Sequence, residues 1–105
     1  MIAAGEWLAS RVPAPPDALA RRLEALVGDA RVEDVGALAE LFVAEAAALI
    51  ENLGDDRSAA ADLLAADSLI TYALEAAADD HDRFEAVAEQ AMSVIARVAG
   101  RGGKA

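Results

Sequence analysis

Apolar residues recur every three or four positions along most of this chain, and proline, glycine and aspartate cut the pattern into five segments. That spacing is the signature of one buried helix face. A first short helix is expected from Ile2 to Arg11, ended by Val12-Pro13-Ala14-Pro15-Pro16, because proline lacks the amide donor and biases its predecessor towards extended backbone. Pro16 and Asp17 suit the start of a second helix, with Leu19, Leu23, Leu26 and Val27 as its stripe and Gly28-Asp29 as its stop. The third is predicted from Val32 to Leu53, with Glu33 and Asp34 in its first turn and Val35, Leu38, Phe42, Ala46, Leu49 and Leu53 on its buried face. A fourth runs from Asp55-Asp56 to Ala78. A fifth begins at Asp82, where Asp82-Arg83-Phe84-Glu85 has the form of a capping box, and carries Phe84, Val87, Ala88, Ala91, Ile95 and Val98. No alternation of strand type persists anywhere, so no strand is expected.

Short connections between three long helices favour antiparallel neighbours. The predicted fold is all-α: a small bundle of three long antiparallel helices plus two short N-terminal helices. It forms one domain over residues 1–99, followed by a flexible glycine-rich tail at 100–105. That tail contains Gly-Lys without the spacing or the following Ser/Thr of a phosphate-binding loop.

The fourth helix is apolar most of the way round. At roughly 100° per residue, Ala59, Leu63, Ile70, Leu74 and Ala77 share one face, while Leu64, Leu69 and Tyr72 fall on its flanks and far side. The third helix repeats this more weakly, with Val43 and Ile50 on one flank and Leu41 on the other. A helix apolar on several sides must be covered on several sides. Self-association does this, a symmetric dimer first; alternatively the N-terminal helices fold back over the flanks. Leu64, Leu69, Tyr72, Leu41, Val43, Ile50 and Trp7 are therefore the candidate interface residues. Trp7 and Tyr72 serve there as anchors or, in the other reading, as packing residues.

Composition narrows the chemistry. The chain has 105 residues, with 19 acidic against 9 basic and a net charge of −10. Such a charge disfavours nucleic acid and anionic membrane surfaces and attracts a basic protein partner. There is no cysteine, so disulfides and thiolate chemistry are excluded. Alanine supplies 29 of the 59 apolar residues, which inflates the mean hydropathy of +0.27 without creating a membrane span. The N-terminus lacks the form of a signal peptide, and a cytoplasmic location is expected. No cofactor is implied.

Asp67 is the anomaly, a carboxylate in the apolar sector of the fourth helix with Thr71 one turn on. It reads as a ligand for a small apolar or cationic molecule, with Thr71 as second anchor. The favoured reading is half of a buried ion pair with an arginine such as Arg22 or Arg83, or a partner of Thr71. His81, Glu85 and Glu89 form a ladder at helical spacing that could hold a divalent cation in a carboxylate-based metal enzyme. The stretch from Asp62 to Glu75 resembles one helix of the trans-polyprenyl diphosphate synthases over 14 of the 105 residues. That family's aspartate-rich diphosphate motifs are missing here, since Asp55-Asp56 is followed by Arg57-Ser58-Ala59, so the resemblance implies shared helical grammar and no activity. The function expected is that of a non-catalytic helical association module, a homo-oligomeric adaptor or accessory subunit.

Overall fold

A computed structural model describes residues 1–102. Among them lie five helices and one two-residue strand pair: β1 (Ile2–Ala3), α1 (Ala4–Ala9), α2 (Asp17–Val27), β2 (Arg31–Val32), α3 (Val35–Glu51), α4 (Ser58–Ala77) and α5 (His81–Gly102). The long antiparallel helices α3, α4 and α5 pack on one another, α3 against α4 most extensively, and the two short helices lie against this bundle. The domain is thus all-α, as the periodicity predicts. Helix α5 continues through Gly102, past Gly100 where the sequence places the tail; 103–105 fall outside the described residues. No described helix is long and apolar enough to cross a membrane.

The strand pair corrects the expectation of no strand. It joins Ile2 to Val32 and Ala3 to Arg31 in antiparallel register, and Ala4 N–H extends it by donating to the Ala30 carbonyl at 2.9 Å. Two residues are too few to show alternation, and the pairing arises because α1 crosses the end of α2 closely. A Cβ on Gly5 would stand 2.9 Å from the Gly28 carbonyl and 2.8 Å from a Glu24 carboxylate oxygen, so glycine is what permits the approach.

The starts of α3 and α5 are set by aspartates one residue outside the first turn. Asp34 caps α3, its Oδ1 accepting from Ala37 N–H at 2.8 Å. Asp80, and not Asp82, precedes α5: its carbonyl accepts from the Arg83 and Phe84 amides, and its Oδ1 accepts from Arg83 N–H at 3.3 Å. Arg83 then reaches Asp34 at 3.0 Å and Glu40 at 3.3 Å, tying the starts of α3 and α5 together.

The core corrects the predicted helix faces. Of the 20 buried apolar residues among those described, nine are alanine. In α4 the buried set is Ala65, Ala66, Leu69, Ile70, Ala73, Ala76 and Ala77, a face turned by roughly 70° from the one drawn through the large side chains. In α3 the interior takes Ala39, Val43 and Ile50 with Leu38, Phe42 and Ala46. Small side chains let two helix axes come close, so more backbone and Cβ surface is buried than leucine-led packing would give. Alanine here is core as well as helix former.

Candidate functional site

Turning α4 onto its alanine face moves Asp67 out of the interior. The residue is exposed, and no ion pair or hydrogen bond reaches its carboxylate among the described residues. Arg22 pairs with Asp62, and Arg83 with Asp34 and Glu40, so neither expected partner is used. Thr71 Oγ1 donates to the Asp67 backbone carbonyl at 3.0 Å rather than to the side chain. The buried ion pair is therefore corrected to a free carboxylate at the surface.

That carboxylate stands on the lip of an apolar groove of about 380 Å³. Leu63, Ala66, Asp67 and Ile70 of α4 form one wall, Val94, Ile95, Val98 and Ala99 of α5 the other, and Ile50 of α3 also lines it. Helix geometry explains the opening. The buried stripe of α5 is Val87, Ala91 and Val94, and Ile95 lies a quarter-turn round from it, 44% exposed. Ala66 and Ala99 face the gap with side chains too small to fill it. On the groove's outer edges Leu64 is 53% exposed, three residues before Asp67, and Met92 is 63% exposed, three residues before Ile95. Residues three apart on a helix are surface neighbours, so both extend the apolar face. Phe84 and Ala88 continue the α5 side of it towards the helix start.

The other candidate interface residues are placed differently. Leu69 is 0%, Val43 4% and Ile50 2% exposed, all in the core of the single chain, which corrects their assignment to a surface. Leu41 is half-buried against that core. Trp7 and Tyr72 are packing residues: the Trp7 ring lies 5.6 Å from Phe42 and 6.1 Å, edge to face, from Tyr72. The Arg11 guanidinium stacks over the indole at 3.9 Å and pairs with Glu75 at 3.0 Å. Helix α1 thus covers part of α3 and α4 from within the chain, and of the expected set Leu64 alone is strongly exposed.

Asp67 and Thr71 also line a smaller polar cleft of about 280 Å³ with Arg11, Tyr72 and Glu75. His81, Glu85 and Glu89 are exposed along α5, and no group of three or more histidine, aspartate or glutamate side chains gathers to hold a metal ion among the described residues. The ladder is corrected to separate surface groups.

The helical pattern places the groove residues Ile95, Val98 and Leu63 on buried faces and gives Met92 no role. A readable signal did exist: Phe84, Ala88, Met92, Ile95 and Ala99 fall within roughly 80° of one another on α5, beside the core stripe rather than on it. Compared with known protein families, with curated proteins and with solved structures, the chain matches none.

Proposed function

We propose that this protein is a non-catalytic helical association module whose contact surface is the α4–α5 groove, occupied by the apolar face of a partner helix. The observation that carries the reading is the groove itself: eight apolar side chains and one carboxylate, left open between two long helices. A gap between two antiparallel helices is the usual seat of a third, entered by side chains spaced three and four apart. The walls from Leu63 to Ile70 extend over about two helical turns, and the apolar edge from Phe84 to Ala99 over about four. The exposed Leu64, Met92 and Ile95 lie where such a helix would cover them.

The test is a helical peptide of about 14 residues with a leucine–alanine face and glutamine on both flanks, long enough to follow the groove. Saturable binding, read by fluorescence anisotropy on the intact protein, is the expected result. Ile95→Asn should weaken it by about tenfold or more, since it places an amide in the apolar contact. Because Ile95 is 44% exposed, that variant keeps its fold, checked by circular dichroism. Binding that ignores Ile95→Asn, or no binding of any helical peptide, overturns the proposal.

A further inference from the structure

We infer that the occupant of the groove is an amphipathic helix of a basic partner protein, with lysine or arginine along both edges of its apolar face. This rests on the groove being a helix-docking surface and adds the chemistry of what docks.

Between residues 58 and 100, the free formal charges on the two groove helices are one-sided. Arg83 and Arg97 are already engaged, by Asp34 and Glu40 and by Glu51. Asp62 and Glu75 are held by Arg22 and Arg11. Between residues 58 and 100, what is left unpaired on these two helices is His81, at the very start of α5, and the carboxylates Asp67, Asp82, Glu85 and Glu89.

Their positions matter as much as their sign. Asp67 stands on the α4 lip of the groove. At roughly 100° per residue, Glu85 and Glu89 lie on α5 just outside the stripe formed by Phe84, Ala88, Met92 and Ile95. Free carboxylates therefore flank the groove on both helices, Asp67 between Leu63 and the exposed Leu64 on α4 and Glu85 and Glu89 outside the stripe on α5. A helix seated there meets leucine-like side chains along its middle and negative charge along each edge. Lysine and arginine complete that pattern, because their stems add apolar cover while their cationic heads reach the carboxylates.

A second copy of the chain fits poorly. In a two-fold dimer through this face every acidic border meets an acidic border, and two chains of net charge −10 repel at long range. Complementary charge favours the basic helix on both counts.

The experiment uses the intact protein and three fluorescent peptides with one leucine–alanine face and lysine, glutamine or glutamate on both flanks. The lysine peptide is expected to bind at least about tenfold more tightly than the glutamine peptide, and the glutamate peptide more weakly than either. The variant Asp67→Asn/Glu85→Gln/Glu89→Gln should remove most of that preference. A control, Glu6→Gln/Asp29→Asn/Glu33→Gln, takes the same charge from exposed sites away from α4 and α5 and should change binding by less than about twofold. Equal binding of the lysine and glutamine peptides, still sensitive to Ile95→Asn, overturns the basic partner and leaves the groove reading standing. Equal losses in the rim and control variants overturn it too, since net charge and not the rims would then be the attractant. A native mass spectrum showing a dimer that Ile95→Asn dissociates, with no peptide bound, assigns the groove to a second copy. Lysine-peptide binding unaffected by Ile95→Asn removes both proposals together.

Discussion

Asp56 is exposed ahead of α4, yet its carboxyl is held below its ordinary value of 3.8. The first cause is the Ser58 hydroxyl, which donates to Oδ1 at 2.5 Å, and the second is the Ser58 amide, which donates to the same atom at 3.1 Å. Such a turn, closed by a carboxylate on the residue two along, is a local alternative to a helix cap. A carboxyl depressed in the folded state contributes stability that is complete above its unfolded value, near pH 4, and is lost as the pH falls through the folded value. An NMR titration should therefore find Asp56 titrating below 3.8 and the first-turn amides of α4 losing protection in the same acid range. Ser58→Ala should raise the midpoint towards that of an ordinary aspartate. An unchanged midpoint in the variant would show that Ser58 is not the cause. The aspartates that punctuate the sequence were visible as helix starts; which of two neighbours does the capping was not. Asp80 takes the place expected of Asp82, with Arg83 beside both its backbone and its carboxylate.

At the level of the helices, the periodicity carried the number, order and type of the long elements, with ends displaced by a few residues. It did not carry their rotation. Large side chains were counted as the buried face of α4, which put Leu63, Leu74 and Asp67 towards the interior and Leu69 on a flank. The actual interior is the alanine face around Leu69, which leaves Leu64 outside and Asp67 on the groove lip. Hydrophobic size is a poor guide when two helices meet through small residues, because closeness of approach then substitutes for side-chain area. The groove is illegible for the same reason, since it opens where alanine-led packing leaves Ala66 on α4 and Ala99 on α5 too small to fill the space between the helices. Two leucines separate these views. Leu69→Ala should cost about 2–5 kcal/mol, the range for a fully buried leucine, whereas Leu64→Ser should change stability by about 0.5 kcal/mol or less, as surface substitutions usually do. Urea denaturation of the two variants measures both. Comparable losses would return α4 to the orientation drawn from its large side chains.

Across the whole molecule, charge acts on folding and on docking with opposite signs. Six of the 19 acidic residues take part in ion pairs, and these pairs link α2 to α4, α5 to α3, and the end of α1 to α4. Apart from half-buried Arg11, their arginines are substantially solvent-exposed, and each such exposed contact is worth about 1 kcal/mol at most. The other carboxylates have no cationic partner among the described residues, and their mutual repulsion is spread over the surface of a small domain. Added salt screens both contributions. With thirteen carboxylates unpaired among the described residues against six in pairs, relief of repulsion is the larger effect, and Tm should rise by a few degrees between about 20 and 300 mM NaCl. A fall in Tm would mean that the arginine pairs dominate the fold's electrostatics. Docking of a lysine-flanked helix responds the other way, because salt screens the attraction between its cations and Asp67, Glu85 and Glu89. The free domain should thus grow more stable over the same salt range in which its complex weakens. A complex held only by apolar contact in the groove would strengthen or stay unchanged, so this divergence separates charge recognition at the rims from simple burial of Ile95 and its neighbours.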